Sequence, residues 1–116
     1  MNRINIKHHK WIYITDNWYI DKSSIEKEGE KVFVWQMLNS QGTIKSTQTP
    51  TLSQILLYEY DCNASTYTVH VMNLYDKEMG KGQLIGGGTV HGEMFDVPTN
   101  STAQLLYKEA CNCLTH

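Results

Sequence analysis

An extended strand is indicated by the segment Ser53-Gln-Ile-Leu-Leu-Tyr-Glu-Tyr-Asp-Cys62. Successive side chains of a strand point to opposite faces, so Tyr58, Tyr60 and Cys62 share an apolar face and the two intervening carboxylates point away from it. An apolar face of this kind needs a covering layer, and the Cys62 thiol lies on that side.

The end of the chain carries the only convincing helical pattern. An N-cap signal, Thr99-Asn-Ser101, follows Pro98, and the helix is predicted to run to about Asn112. Its apolar residues recur at helical spacing and form one stripe, with Cys111 on the margin of that stripe. The sequence therefore predicts an α+β fold in which this helix covers the strand that ends at Cys62.

The remaining segments predict an antiparallel meander of about five or six strands in a single domain spanning residues 1–116. Strands are expected at 10–15, 32–38, 66–75 and 83–86. Asp21 or Ser23 is expected to cap one helical turn that runs through Ile25. The segment 39–50 is predicted to be a mobile loop, and Gly86-Gly-Gly88 a flexible connection before the helix.

The chain has three cysteines, Cys62, Cys111 and Cys113. A Cys62–Cys111 bond would lock the helix to the sheet, but three free thiols in a reducing cytosol are an equal alternative on the residues alone. A bond between Cys111 and Cys113 is disfavoured because residues two apart on a helix point away from each other. Cys113 lies on the opposite margin of the apolar stripe from Cys111, so helical periodicity does not strongly favour either as the partner of Cys62.

Composition excludes several classes of protein. A net charge of −2 gives no long-range attraction to nucleic acid. No run of 18 or more apolar residues is present, so no membrane-spanning helix is expected. The first residues lack the apolar core of a signal peptide, which leaves a cytoplasmic protein or an exported protein without its signal as the two interpretations.

No motif predicts catalysis. The pair His8-His9 and the segment His91-Gly-Glu93 lack the spacing of metal ligands, and no nucleophile elbow occurs. We therefore expect no catalytic residue, no metal and no cofactor; a hydrolase that uses His91 and Glu93 is the weakest alternative.

Aromatic residues are the strongest surface signal, with three tryptophans and seven tyrosines in 116 residues. Such residues dominate both small cores and interface anchors. Most are expected in the core, and a few exposed on an edge strand would suit partner binding or a homodimer.

The order of these features resembles the surface-adhesin protein E family of Gram-negative bacteria. The resemblance rests on Trp11, on 18–25 followed by Val-Phe-Val-Trp35, on Tyr-Glu-Tyr-Asp-Cys62, and on Pro98 followed by Leu-Leu-Tyr-Lys-Glu-Ala-Cys111. It implies an exported domain: a strongly bent antiparallel sheet whose concave face holds the C-terminal helix through a Cys62–Cys111 disulfide. It also implies a non-enzymatic adhesin that binds host matrix or serum proteins such as vitronectin and laminin, and that can dimerise.

The sequence departs from the family pattern at three points: it shows no lipid-attachment cysteine or signal, it has the additional Cys113, and its 39–50 segment carries only one basic residue, Lys45. The leading hypothesis is an exported binding module with contacts from strand edges and the 39–50 segment, including Trp18, Tyr19 and Lys45. The alternative is a periplasmic or envelope protein with a structural role and a bacterial partner. Both place the protein in the cell envelope, and neither identifies the ligand or the anchoring.

Overall fold

A computed structural model describes residues 8–40, 42–44 and 49–112 of the chain. In these residues one α-helix, α1 (Thr102–Cys111), and a 3-10 turn (Glu78–Gly80) accompany a set of β-strands. The strands are β1 (Ile12–Thr15), β2 (Trp18–Glu28), β3 (Lys31–Leu38), β4 (Gly42–Ile44), β5 (Thr49–Thr51), β6 (Ser53–Asp61), β7 (Thr66–Tyr75), β8 (Leu84–Thr89) and β9 (Met94–Asp96).

The strands confirm the predicted antiparallel meander. The main sheet has seven strands in the order β1-β2-β3-β6-β7-β8, and β9 pairs with the other end of β7. The pair β4-β5 forms a separate two-stranded sheet in the segment predicted to be a loop, so that prediction was wrong for the described part of 39–50. The sequence there lacks the alternation of apolar and polar residues from which a strand is predicted, but pairing through backbone hydrogen bonds does not require that alternation.

One face of the main sheet is covered by α1. Its core contains Ile20, Val32, Val34 and Tyr60 from the strands, packed against Leu106 and Ala110 from the helix. Ser101 accepts a hydrogen bond from the Gln104 amide at 3.1 Å, which confirms the predicted N-cap.

A disulfide joins this helix to the sheet. Cys62 and Cys111 are bonded with their Cα atoms 5.7 Å apart, across 49 residues of sequence. The Tyr107 hydroxyl strengthens the same junction by donating to the Cys62 carbonyl at 2.8 Å. The predicted packing of the helix on the Cys62 face is thus confirmed. The structure also decides between the two cysteine states that the residues alone left open, since Cys62 and Cys111 form a disulfide.

The opposite face carries a second core. Trp35, Met37, Ile55, Leu57 and Val71 are buried there. The central strands β3 and β6 are therefore covered on both faces, which explains the nearly continuous apolar run in β3.

The helical turn predicted after Asp21 was wrong. Strand β2 continues to Glu28, but its register to β3 shifts, so that residues 22–25 lie opposite Val34 alone. The Asp21 side chain accepts a hydrogen bond from the Ser23 amide at 3.0 Å, and the Trp35 amide donates to Ser24 Oγ at 3.0 Å. The side-chain oxygens expected to cap a helix instead stabilise a β-bulge, a feature that bends a strand.

The glycine run was also misassigned. Gly86, Gly87 and Gly88 belong to β8 and pair with β7. At Gly87 the backbone has φ +95°, and a Cβ atom there would lie 1.8 Å from the Met72 carbonyl oxygen. Only glycine fits this close approach, and without side chains the run shows no alternation that would reveal a strand.

Burial of tyrosines predicts an alkaline loss of stability. Burial raises the pKa of Tyr60 and Tyr58 well above the ordinary value of about 10. Above about pH 10 the unfolded chain therefore binds fewer protons than the folded protein, and the free energy of unfolding falls as pH rises, by up to about 1.4 kcal/mol per group and pH unit. Urea unfolding at about pH 9 and about pH 11 measures this slope. In Tyr58→Phe the slope should be shallower; an unchanged slope would contradict the assignment.

Candidate functional site

A cleft of about 490 Å³ opens on the face opposite α1. Its apolar walls are Trp11, Trp35, Tyr75 and Met79, and its polar rim includes His8, His9 and Lys81. We call this site the aromatic cleft. It joins three segments that are distant in sequence: the residues before β1, the centre of β3, and the end of β7 with the 3-10 turn that follows it.

The first wall is held by a hydrogen bond from His9 to a buried carboxylate. His9 Nδ1 donates to Asp21 Oδ2 at 2.7 Å, and the Asp21 side chain is fully buried. The His9 ring stacks on Trp11 with ring centroids 4.5 Å apart. Because Asp21 belongs to the β2 bulge, the irregular strand positions Trp11 at the cleft through the His9 ring.

The second wall is the 3-10 turn, which is tied to the sheet by hydrogen bonds from side chains of the sheet and its flanking loop to the backbone of the turn and of Lys77. The buried Ser53 hydroxyl donates to the Lys77 carbonyl at 2.6 Å and accepts from the Gly80 amide at 2.8 Å. Asn39 accepts from the Met79 amide at 2.8 Å. At Gly80 a Cβ atom would lie 2.6 Å from Ile55 Cδ1, so the turn sits directly on the second core.

The cleft suits binding better than catalysis. Aromatic and thioether walls with a few polar rim groups are typical of sites that accept a side chain or a small ligand. His91 and Glu93 are both exposed and do not line it. Across the described ranges no group of three or more histidine, cysteine, aspartate or glutamate side chains is placed to hold a metal ion.

The structure separates the residues that the sequence placed together. Tyr19 lies on the cleft face, where its ring meets Tyr13 edge to face at 5.3 Å between centroids. Trp18 points to the helix face and packs against the first core. Lys45 and Cys113 lie outside the described residues.

Sequence reasoning missed the cleft itself. Trp11 and Trp35 were recognised only as part of the aromatic content, and Met79 and Lys81 were not considered. Because Asp21 was assigned as a helix cap, its carboxylate was not considered as a buried group that needs a hydrogen-bond partner. That requirement is the one local signal that could have indicated a contact with His9.

The fold is shared with solved structures of Haemophilus influenzae protein E. A crystal form II structure of Haemophilus influenzae protein E matches with a TM-score of 0.77 at 14% identity, covering 100% of this chain and 98% of that one. A second structure of Haemophilus influenzae protein E matches with a TM-score of 0.72 at 16% identity, covering 89% and 84%. Protein E from non-typeable Haemophilus influenzae matches with a TM-score of 0.70 at 15% identity, covering 97% and 82%.

The class of protein follows from a family model of surface adhesins that matches residues 11–112. The chain belongs to the Surface-adhesin protein E family. No curated protein matches the sequence. Membership in a family of surface adhesins indicates an exported, surface-exposed protein. Among the residues that the structure describes, no helix is long and apolar enough to cross a membrane.

Proposed function

We propose that this surface adhesin binds a host extracellular-matrix or serum protein, such as vitronectin or laminin, through the aromatic cleft. The observation that carries the proposal is the cleft's combination of Trp11, Trp35 and Tyr75 with the exposed cation of Lys81. Tryptophan and tyrosine are the residues most often found to dominate protein–protein binding energy, and a cationic rim favours an acidic partner segment.

The contact surface extends from the cleft to the edge of the sheet. Tyr13 and Tyr19 lie on the same face, and Tyr13 is 56% exposed at the edge strand β1. An edge strand with exposed aromatic rings supplies both backbone groups and apolar anchors to a partner. We include Lys45 in this surface as a prediction, together with Tyr19; Trp18 belongs to the other face.

Two cleft variants test the proposal. Trp11→Ala removes an anchor and is expected to weaken binding to immobilised vitronectin or laminin by about 30-fold. Lys81→Glu reverses a rim charge and is expected to slow association by several fold, with a smaller effect at high salt. Surface plasmon resonance at two salt concentrations measures both effects.

Two matched variants serve as controls. Lys27→Glu makes the same charge change at an exposed position at the far end of β2, and Leu105→Ala truncates an exposed apolar residue on α1. Both should bind as the unmodified protein does. Equal losses of affinity in Lys27→Glu and Lys81→Glu would show a general charge effect and no specific site.

Absence of binding to any matrix or serum protein, with capture of an envelope partner instead, would favour the periplasmic or envelope role. Homodimer formation stays a prediction.

A further inference from the structure

A second pocket lies on the helix face and is distinct from the aromatic cleft. Four aromatic rings line its sheet side: Trp18 from β2, Tyr58 and Tyr60 from β6, and Tyr67 from β7. Thr102, Ala103 and Leu106 of α1 close it from above, and its volume is about 260 Å³. We call it the tyrosine pocket.

The rings form walls at different angles. Trp18 stands perpendicular to Tyr58, with an interplanar angle of 90° and centroids 6.1 Å apart. Tyr58 and Tyr67 are nearly parallel, at 29° and 5.6 Å. Tyr58 and Tyr67 stack on each other, and because Trp18 stands perpendicular to Tyr58, a group in the pocket can contact the indole and a phenol ring from two directions.

The pocket is an open concavity between the sheet and α1, with room for several waters at about 30 Å³ each. The helix contributes a small residue, Ala103, where a larger apolar side chain would fill the space. Trp18, Tyr58, Thr102 and Ala103 are all partly exposed, so the pocket is accessible from solvent.

The electrostatics favour a cation that is poorly hydrated. The faces of aromatic rings carry negative electrostatic potential and attract cations within about 6 Å of the ring centre. Burial keeps Tyr58 and Tyr60 as neutral phenols because it raises the pKa of each. These two side chains therefore offer a bound cation the faces of their rings and no negative charge. A primary ammonium would lose its strong hydration there, whereas a trimethylammonium group, which is covered by methyl groups, loses little.

The rim adds a negative charge. Thr102, which lines the pocket, donates its hydroxyl to Asp16 at 2.7 Å, and Asp16 is exposed at the turn between β1 and β2. The Asp16 carboxylate is separated from the pocket only by the Thr102 side chain, so it attracts a cation in the pocket and repels a phosphate beside it.

We propose that the tyrosine pocket binds a quaternary ammonium group of the choline type. The methyl groups would lie against Trp18 and Tyr58, and Asp16 would favour the cation from the rim. The same chemistry occurs in free choline and in lipid head groups; the acidic rim favours free choline over phosphocholine.

An NMR titration with choline tests this site. Choline is expected to shift the indole Nε1–H resonance of Trp18 but not that of Trp11, with a dissociation constant in the millimolar range. The neutral isostere 3,3-dimethyl-1-butanol has the same shape without charge and should bind roughly tenfold more weakly. Phosphocholine and phosphatidylcholine vesicles distinguish the free cation from the lipid head group.

Variants make the test specific. Trp18→Leu keeps apolar volume but removes a ring and should abolish the shift of Tyr58 resonances, while Trp18→Phe should restore binding in part. Trp11→Leu makes the same change outside the pocket and should leave choline binding intact. If Trp18→Leu does not fold, Ala103→Leu blocks the pocket without removing a ring. Equal binding of choline and its neutral isostere, or no response of Trp18 to choline at high millimolar concentration, would overturn the proposal.

Discussion

Replacing Cys62 and Cys111 together by alanine is expected to lower the free energy of unfolding by about 4 kcal/mol. The bond closes a loop across 49 residues, and its removal gives the unfolded chain back the conformational freedom that the crosslink denies it. For a protein of this size the melting temperature should fall by about 15 °C. Differential scanning calorimetry of the oxidised protein and of the double variant measures the difference.

The additional cysteine provides the matched control. Cys113→Ala also removes a thiol near the end of the chain, and its melting temperature should equal that of the unmodified protein. The double variant must be used because Cys62→Ala alone leaves Cys111 as a free thiol that can crosslink two molecules. If the free energy of unfolding of the double variant lies within about 1 kcal/mol of that of the unmodified protein, helix packing alone holds the two layers together.

Asp21→Ala should lower the free energy of unfolding by about 3 kcal/mol, the second-largest effect that we expect. The carboxylate is fully buried and accepts hydrogen bonds from His9 Nδ1 and from both the amide and the hydroxyl of Ser23. Its loss leaves the His9 ring, whose side chain is only 12% exposed, without its partner and frees the segment that carries Trp11. Chemical unfolding measures the stability, and ligand binding through the aromatic cleft should weaken in the same variant.

Asp61→Ala is the control for this change. Asp61 also accepts two backbone hydrogen bonds, from Asn63 and Ala64 at 3.0 and 2.9 Å, but these lie in an exposed turn. Water can replace them, so the expected cost is about 1 kcal/mol or less. Equal costs at Asp21 and Asp61 would mean that burial of the His9–Asp21 pair adds nothing to the stability of the bulge.

Local pattern was enough to predict the architecture. The faces of β6 followed from strict alternation, which placed Tyr60 and Cys62 under the helix, and the helix start followed from the Ser101 cap. The error at Asp21 has a physical cause, since serine and aspartate oxygens bind free amides equally well at a helix start and in a bulge. The local sequence does not distinguish the two.

The aromatic cleft could not be predicted in this way. Its walls come from the segments around Trp11, Trp35 and Tyr75, and nothing in any one segment indicates the other two. Their meeting depends on the order of strands in the sheet and on the His9–Asp21 contact, both of which are long-range. Trp18 and Tyr19 are a different case: they are adjacent in β2, so the alternation of side chains along a strand already predicts that they lie on opposite faces.

Because α1 follows the described strands in the chain, the order of synthesis affects how the protein folds. The ribosome delivers β1, β2, β3, β6 and β7 in an order that lets each strand pair with one already synthesised. The apolar face around Val34 and Tyr60 nevertheless stays uncovered until Leu106 and Ala110 have been synthesised. Until then the nascent chain exposes an apolar surface that is prone to aggregation, together with the unpaired Cys62 thiol. Folding of this adhesin is therefore completed only after synthesis of the helix, in a compartment able to oxidise the thiols.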